Sequence, residues 1–168
     1  FLPVGLESGN AHGVAGALIH WQVVAVASTI LAGVYAALEA RIGTGLEARR
    51  YLGLAYGAPR LAVFFLIGGL ALVGLPLTLG FVGEDLLLHG ALIRHPYFGV
   101  VLPIVTALNA FSVLRLFARL FLGKPDPEAH AISDALPRER WALTAAVLFL
   151  VIGGLLPGPL SRLPVSGA

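Results

Sequence analysis

The chain alternates between long apolar stretches and short polar segments. Residues 12–38 contain no proline and no charged side chain, and they exceed the ~20 residues that a helix needs to cross a lipid bilayer. Two further apolar stretches cover residues 99–122 and 141–156. Another stretch is interrupted, because residues 61–75 and 81–93 are each too short to cross a hydrocarbon core of ~30 Å. We therefore predict four membrane spans, one of which is a discontinuous helix.

The interruption between the two half-spans carries both helix breakers and acids. Pro76 and Gly80 predict the break itself, with extended backbone between them, and Glu84 and Asp85 follow at once. Irregular backbone at membrane depth is tolerated only where protein or a water-filled cavity covers it. A carboxylate at that depth is costly and marks a candidate functional site. The alternative is that Glu84 begins the second half-helix and caps its N-terminus.

Composition decides the class of protein. Of the 168 residues, 58% are hydrophobic and 12% are charged, whereas soluble domains carry about 25% charged residues. We therefore predict an all-α, polytopic transmembrane helix bundle that forms a single membrane domain over residues 1–168, surrounded by the lipid bilayer. The chain has no cysteine, which excludes disulfides and thiolate metal sites. Its net charge of +2 is spread over the loops and gives no support for nucleic-acid binding.

Basic residues are concentrated next to two connections, one between the first two spans and one between the last two. If 61–93 counts as one span, both clusters fall on the same side of the membrane, and the positive-inside rule makes that side cytoplasmic. The residues predicted to share it are Arg41, Arg49, Arg50, Arg119, Lys124 and Arg138. Thr44 and Glu47 have the spacing of a capping box, which predicts a short helix on the membrane surface.

Five polar side chains within the predicted spans are candidates for proton transfer. Glu84 comes first, because desolvation disfavours its charged form and lets it take up and release a proton. Asp85 and His89 are four residues apart and share a helix face. They either extend Glu84 into a relay or line a packed interface. His20 is either a proton carrier or a hydrogen-bonded packing residue. An asparagine such as Asn109 more often hydrogen-bonds one helix to another than takes part in a relay.

Neither a cofactor nor a catalytic or metal centre is predicted. The sequence has no glycine-rich nucleotide loop and no cysteine ligands for an iron–sulfur cluster. Five histidines raise haem binding as an alternative, in which His20 and His89 face each other, although no paired spacing supports it. The other histidines, to which we assign no role, are His12, His95 and His130. A passive scaffold of packed helices is the remaining alternative.

Four stretches, in order along the chain, resemble one family of membrane proteins. Residues 75–84, which read LPLTLGFVGE, resemble a Pro-x-Thr/Ser stretch ending in Glu or Lys in the antiporter-like subunits of respiratory complex I, of the M, L and N types. Residues 47–54, 112–123 and 136–159 are similar to the family's arginine-containing loop, to its Arg-x-x-Phe-Gly helix end and to its last helix. Multisubunit cation/proton antiporters and membrane-bound hydrogenases are related to this family.

The resemblance implies that the chain is the C-terminal quarter or third of such a subunit, in a bacterial inner membrane beside other membrane subunits. It implies that 61–93 is the family's discontinuous helix, that the proton path ends at Glu84, and that His20 lies on the family's polar axis. The implied function is conduction of H⁺ along a buried polar axis, with any redox chemistry left to partner subunits. The alternatives are a cation/proton antiporter that carries Na⁺, a hydrogenase or a bicarbonate-uptake complex.

Overall fold

Six α-helices make up the regular structure of the described residues. The computed structural model describes residues 1–43, 51–93, 95–124 and 132–156, and no β-strand occurs within them. The helices are α1 (Leu2–Glu7), α2 (Ala11–Ile42), α3 (Pro59–Leu72), α4 (Leu79–Leu92), α5 (Phe98–Phe121) and α6 (Pro137–Leu155). The predicted all-α fold with an interrupted helix is confirmed. Helices α2, α5 and α6 match the other predicted apolar stretches to within about one turn.

Helices α3 and α4 follow each other along α2 in a single direction. A Cβ added at Gly68 of α3 would lie 2.8 Å from Ile30 Cγ2, so these two residues are in close contact. Further along the chain, Gly90 of α4 packs against the backbone of Gly13, near the start of α2. Later residues of the α3–α4 pair thus meet earlier residues of α2. The pair therefore forms one interrupted antiparallel partner of α2 and does not fold back on itself as a hairpin.

Glycine allows α2 and α4 to pack backbone against backbone. Gly16 of α2 faces the Leu87 amide, and a Cβ added at Gly16 would also lie 2.9 Å from the Gly83 carbonyl oxygen. A Cβ added at Gly83 would lie 3.0 Å from the backbone nitrogen of His20. Small residues at helix interfaces are the usual basis of association in lipid, where apolar burial between helices gives little driving force. This contact fixes the height at which α4 holds its polar side chains.

The break between α3 and α4 covers residues 73–78 and begins earlier than predicted. Pro76 lies inside it, but Gly80 is the second residue of α4, so the prediction that Gly80 breaks the helix is wrong. Thr78 is the N-cap residue, with extended backbone at φ −106° and ψ 156°. Gly80 is required for packing instead, because a side chain there would collide with the Ala71 carbonyl oxygen at the end of α3.

The connection between α2 and α3 closes the C-terminus of α5. Backbone amides of residues 52–55 donate hydrogen bonds to the carbonyl oxygens of residues 119–122, including a bond of 2.9 Å from Leu52 to Arg119. The last carbonyls of a helix have no partner within it, so this connection is their cap. The C-terminus of α5 therefore lies at the same end of the bundle as the α2–α3 connection.

An ion pair joins α2 to α6 at that same end. Arg41 Nη2 lies 2.6 Å from Glu139 Oε2, and the Arg41 side chain is 9% exposed. Glu139 precedes the predicted span 141–156. Burial by itself raises the pKa of its carboxyl, but hydrogen bonds from Arg41 and the Leu136 amide, with the charge of Arg41, outweigh burial and hold that pKa below its usual value. The pair therefore stabilises the fold above the ordinary glutamate range and weakens as the pH falls through the lowered pKa.

Asp134 caps α3 from the segment that precedes α6. Its carboxylate accepts hydrogen bonds from the amides of Arg60 at 3.3 Å and Leu61 at 3.4 Å, which supplies the acceptor that the first turn of a helix lacks. The ends of α2, α3, α5 and α6 thus gather the described basic residues of both predicted clusters at one end of the bundle. The predicted surface helix at Thr44 and Glu47, with Arg49 and Arg50, lies outside the described residues.

Among the described helices, α2 and α5 are long and apolar enough to cross a membrane. Helix α5 exposes large apolar side chains along much of its length, and Val100, Leu108 and Phe111 are each more than 60% exposed. An apolar surface of this extent is typical of a helix that meets lipid or further protein. That the α3–α4 pair and α6 also cross the membrane stays a prediction.

Gly16→Ala should destabilise the fold, because the added Cβ would meet the Leu87 amide and the Gly83 carbonyl. Gly33→Ala is a matched control on the same helix, since among the described residues its Cβ would meet only Leu143 Cδ2, at 3.7 Å. Both changes gain helix propensity of about 1 kcal/mol. We expect Gly16→Ala to lower the free energy of unfolding by roughly 1–3 kcal/mol and Gly33→Ala to be neutral or stabilising. Denaturant titration of helicity in detergent measures both, and equal effects would contradict the close α2–α4 contact.

Candidate functional site

Gly74 ends α3 in a Schellman motif. Its amide donates to the Ala71 carbonyl at 3.2 Å, and the Leu75 amide donates to the Leu70 carbonyl at 3.0 Å. Gly74 has a φ of +75°, which glycine adopts without the steric cost that a Cβ would bring. Pro76 follows two residues later and cannot continue the helix. Helix α3 therefore ends inside the bundle with two of its last carbonyls already paired.

Helices α5 and α6 cover the rest of the break. Asn109 Nδ2 donates to the Leu72 carbonyl oxygen at 3.3 Å, which agrees with the helix–helix hydrogen bonding expected of this residue. A Cβ added at Gly154 of α6 would lie 2.6 Å from the Leu77 carbonyl oxygen. Leu77 itself has a φ of +78°, which is strained for a residue with a side chain. The break is thus held from two sides by neighbouring helices.

Glu84 lies in the second turn of α4, not at its beginning. The helix starts at Leu79 and its N-cap residue is Thr78, with no acidic residue in the first turn. The alternative in which Glu84 begins and caps the second half-helix is therefore wrong. The cause is the early start of α4, which begins at Leu79, two residues before the predicted start at residue 81.

The Glu84 carboxylate lies between the break and α5. Thr106 Oγ1 of α5 donates to Glu84 Oε1 at 3.4 Å. A Cβ added at Gly74 would lie 2.5 Å from Glu84 Oε2, so the carboxylate occupies space that glycine leaves open. Glu84 takes part in none of the ion pairs formed within the described part of the chain. Within the described residues, the Glu84 carboxylate therefore has the Thr106 hydroxyl as a polar side-chain partner and no cation.

A cavity of about 380 Å³ opens beside this carboxylate, between α4 and α5. Its wall is mostly apolar, and Pro103, inside α5, forms part of it. The polar side chains that reach it are Glu84, Asp85 and Thr106. A cavity of this size, with three polar side chains in its wall, has room for several water molecules. The arrangement can therefore hydrate a carboxyl that the surrounding helices otherwise enclose.

Asp85 and His89 form a pair on the outer side of α4. His89 Nδ1 lies 3.4 Å from Asp85 Oδ1, and the two side chains are 70% and 51% exposed. Asp85 also lines the cavity of Glu84, whereas His89 is not part of that wall. The structure thus brings Asp85 to Glu84 and leaves His89 facing outward. A relay through both residues would lead away from the interior of the described bundle.

His20 lies in the interior, with its backbone at the contact between α2 and α4. The residue is 6% exposed, and its Nδ1 has no hydrogen-bond partner among the described residues. Its ring packs against the ring of Phe1, with 4.3 Å between the centroids. Because His20 is enclosed and His89 is exposed, the two do not share a pocket, and the haem alternative loses its pair of ligands. The described residues contain no group of three or more side chains suited to a metal ion.

Three residues of the site are absent from the sequence-based prediction. Thr106 contacts Glu84 directly, Gly74 makes room for its carboxylate, and Phe1 forms part of the cavity wall. A signal for Thr106 exists, since it precedes Asn109 by three residues and therefore lies near it on α5. No comparable signal marks Phe1, because its contact depends on how α1 packs on the other helices.

Known proteins resemble the chain over nearly its whole length. Residues 1–109 match the family model described as NADH:quinone oxidoreductase/Mrp antiporter, TM. The chain belongs to this family. NADH-quinone oxidoreductase subunit 13 of Thermus thermophilus is 33% identical over 162 residues, which are 95% of this chain and 33% of that protein. NADH-quinone oxidoreductase subunit M of Rickettsia typhi is 29% identical over 158 residues, or 94% of this chain and 32% of that protein.

Structural similarity leads to the same family. A chain of respiratory complex I from Thermus thermophilus with bound NADH superimposes with a TM-score of 0.83 at 32% identity, over 95% of this chain and 33% of that one. The resemblance to antiporter-like membrane subunits of complex I is confirmed, and it makes the chain part of an integral membrane protein. The chain spans about a third of the length of the relatives that it matches.

Gly74→Ala should lower the free energy of unfolding for two separable reasons. The positive φ costs about 1–2 kcal/mol once a Cβ is present, and that Cβ would crowd Glu84 Oε2. Only the second effect should vanish in a Glu84→Ala background, so a double-mutant cycle should show a coupling of roughly 0.5–3 kcal/mol.

Gly43 provides the control for that cycle. It has a φ of +82°, and no atom of the described residues lies within 4 Å of an added Cβ, so Gly43→Ala should cost the same with and without Glu84. Chemical unfolding of the four Gly74 and Glu84 combinations in detergent measures the coupling. Purely additive effects would show that the carboxylate does not lie against Gly74.

Proposed function

We propose that this chain is the C-terminal part of a proton-translocating membrane subunit of a complex I-like NADH:quinone oxidoreductase. In this proposal Glu84 is the group that takes up and releases H⁺ at the break in the α3–α4 pair. The observation that supports it is the Glu84 carboxyl in a cavity at this break, with a hydroxyl partner and no ion-pair partner in the described part. The chain itself carries no redox step, which belongs to partner subunits.

The chemistry follows from the surroundings of Glu84. A carboxylate removed from water is stable only if it is paired, hydrated or neutral. Thr106 supplies one hydrogen bond, which is less than the ion pair that would hold the carboxyl permanently charged. Water in the cavity favours the charged form, and its withdrawal favours the neutral form. Changes in hydration of the cavity are therefore sufficient to load and unload a proton on Glu84.

The other candidate residues take unequal parts in this proposal. Asp85 shares the cavity and provides a second, more exposed acid next to Glu84. Asn109 keeps the break in place through the Leu72 carbonyl. His20 is the inward continuation of the path, and His89 has at most an indirect part because it faces outward with Asp85.

The partners of the proposed subunit are the lipid bilayer and the other membrane subunits of a multisubunit complex, in the inner membrane of a bacterium. A cation/proton antiporter that carries Na⁺ is the second candidate, and the family description, which includes Mrp antiporters, favours it over a hydrogenase or a bicarbonate-uptake complex. Transport assays in vesicles separate the two candidates, because only the antiporter would require Na⁺. A passive scaffold would need neither ion.

Glu84→Gln should abolish most H⁺ transport, by roughly tenfold or more, while assembly stays nearly intact because the side chain keeps its shape. Glu84→Asp should retain part of the transport, since it keeps the acid but withdraws it from Thr106. The measurement is driven acidification of vesicles that contain the full-length protein in its complex, with assembly followed on native gels.

Asp85→Asn is the matched control, because it removes a neighbouring acid from the same cavity at a more exposed position. It should reduce transport less than Glu84→Gln does. Full transport by the Glu84→Gln protein would favour the scaffold alternative. Equal losses in both variants would show that Glu84 and Asp85 contribute equally to transport.

Lys124 and Tyr97 should lie on opposite sides of the membrane. Both are exposed, Lys124 lies just after α5 at the basic end of the bundle, and Tyr97 lies just before α5 at the other end. The positive-inside rule makes the Lys124 end cytoplasmic. In a background without other cysteines, Lys124→Cys should react with an impermeant thiol reagent only from the cytoplasmic side and Tyr97→Cys only from the other side. Labelling of both from one side would refute α5 as a span.

A further inference from the structure

Phe1 lies between two of the groups to which the proposed function assigns proton transfer. On one side its ring packs on the buried His20 ring, at 4.3 Å between centroids. On the other side it forms part of the wall of the cavity that contains Glu84 and Asp85. His20 does not reach that cavity itself. The aromatic ring therefore separates a buried imidazole from an acidic, hydratable space.

The packing of α1 keeps this ring in place. Gly5 of α1 lies directly against Ala17 of α2, so closely that a side chain at Gly5 would collide with it. Phe1 also packs against an apolar cluster formed by Ala17, Leu87 and Leu102. An aromatic side chain in such a setting buries a large apolar area and has few alternative positions. The ring is thus partly buried and packs against α2, α4 and α5.

The separation of His20 from the cavity matters because one nitrogen of its ring lacks a hydrogen-bond partner among the described residues. His20 Nδ1 is buried and has no hydrogen-bond partner among the described residues, although a buried polar atom usually has one. The cavity that contains Glu84 can hold water, and Phe1, which contacts the His20 ring, forms part of its wall whereas His20 does not. Apolar constrictions of this kind stop ions and protons by excluding water, without any charged gate.

We propose that Phe1 is an apolar barrier that keeps water in the Glu84 cavity from reaching His20. Proton exchange between His20 and the cavity then requires displacement of this ring. The barrier rests on the proposed function for its role in transport, but the separation of His20 from water is a property of the structure alone. The two can therefore be tested apart.

The first test uses the unmodified full-length protein in membranes. Deuterium exchange at the Cε1 position of histidine, followed by mass spectrometry, reports how well water reaches each ring. His20 should exchange at least about tenfold more slowly than the exposed His89. Equal rates for the two histidines would overturn the barrier without any variant.

The second test removes the ring. Phe1→Ala should speed exchange at His20 by about tenfold and should raise passive H⁺ permeability of the vesicles when no transport is driven. Phe1→Leu, which keeps an apolar side chain, should stay close to the original protein in both measurements. Phe98→Ala is the matched control, because Phe98 packs on the same apolar cluster but does not line the cavity. It should leave exchange at His20 unchanged.

The outcomes separate the barrier from the role of Glu84. If His20 exchange is unchanged in Phe1→Ala, or rises equally in Phe98→Ala, the barrier is wrong whatever Glu84 does. If Phe1→Ala opens His20 to exchange but Glu84→Gln transports normally, the barrier stands and the proposed function fails. If both hold, the passive H⁺ leak of Phe1→Ala should disappear in a Phe1→Ala, Glu84→Gln double variant.

Discussion

A helix that stops inside a bundle must find partners for the backbone groups that it releases, and most of this structure follows from that requirement. In a bilayer no bulk water is available to satisfy these groups. The structure uses three devices at the end of α3. The Schellman motif at Gly74 pairs two carbonyls within the chain, Asn109 of α5 pairs the Leu72 carbonyl, and Gly154 lets the backbone of α6 cover Leu77. Because these devices come from three different elements, the break is a product of the whole bundle.

The same devices that satisfy the backbone also create the site. Gly74 is required for its positive φ, and its missing side chain leaves the space into which the Glu84 carboxylate reaches. Helix α5 contributes Asn109 to the backbone and, three residues earlier, Thr106 to the carboxylate. The close glycine contact between α2 and α4 sets the depth of Glu84 relative to His20. The acid is therefore positioned by residues that carry no charge, which is consistent with the proton exchange that we propose for it.

The sequence was sufficient for the five longer helices and insufficient for α1 and for the contacts between the elements. Apolar stretches bounded by prolines and polar segments predicted α2, α5, α6 and both halves of the interrupted helix, and Pro76 located the break. Gly80 was misassigned because a glycine near a proline has two explanations, a break or a close approach, and only the position of the Ala71 carbonyl decides between them. With Gly80 assigned to the break, the predicted start of α4 came too late. Glu84 was therefore expected near the N-terminus of α4, where a side chain can cap unpaired amides, whereas it lies in the second turn.

Thr106 and Phe1 show a different limit, which concerns distance along the chain. Each lies far in sequence from Glu84 and reaches the cavity only because α1 and α5 pack on α4 from separate directions. The spacing of Thr106 to Asn109 indicates a shared region of α5 but not a contact with Glu84, and no pattern marks Phe1. Their importance comes from the groups beside them: within the described residues, the Glu84 carboxyl has no paired cation and His20 Nδ1 has no hydrogen-bond partner. An apolar ring between two such groups is placed where it could decide whether water connects them, and this placement is the basis of the barrier that we propose.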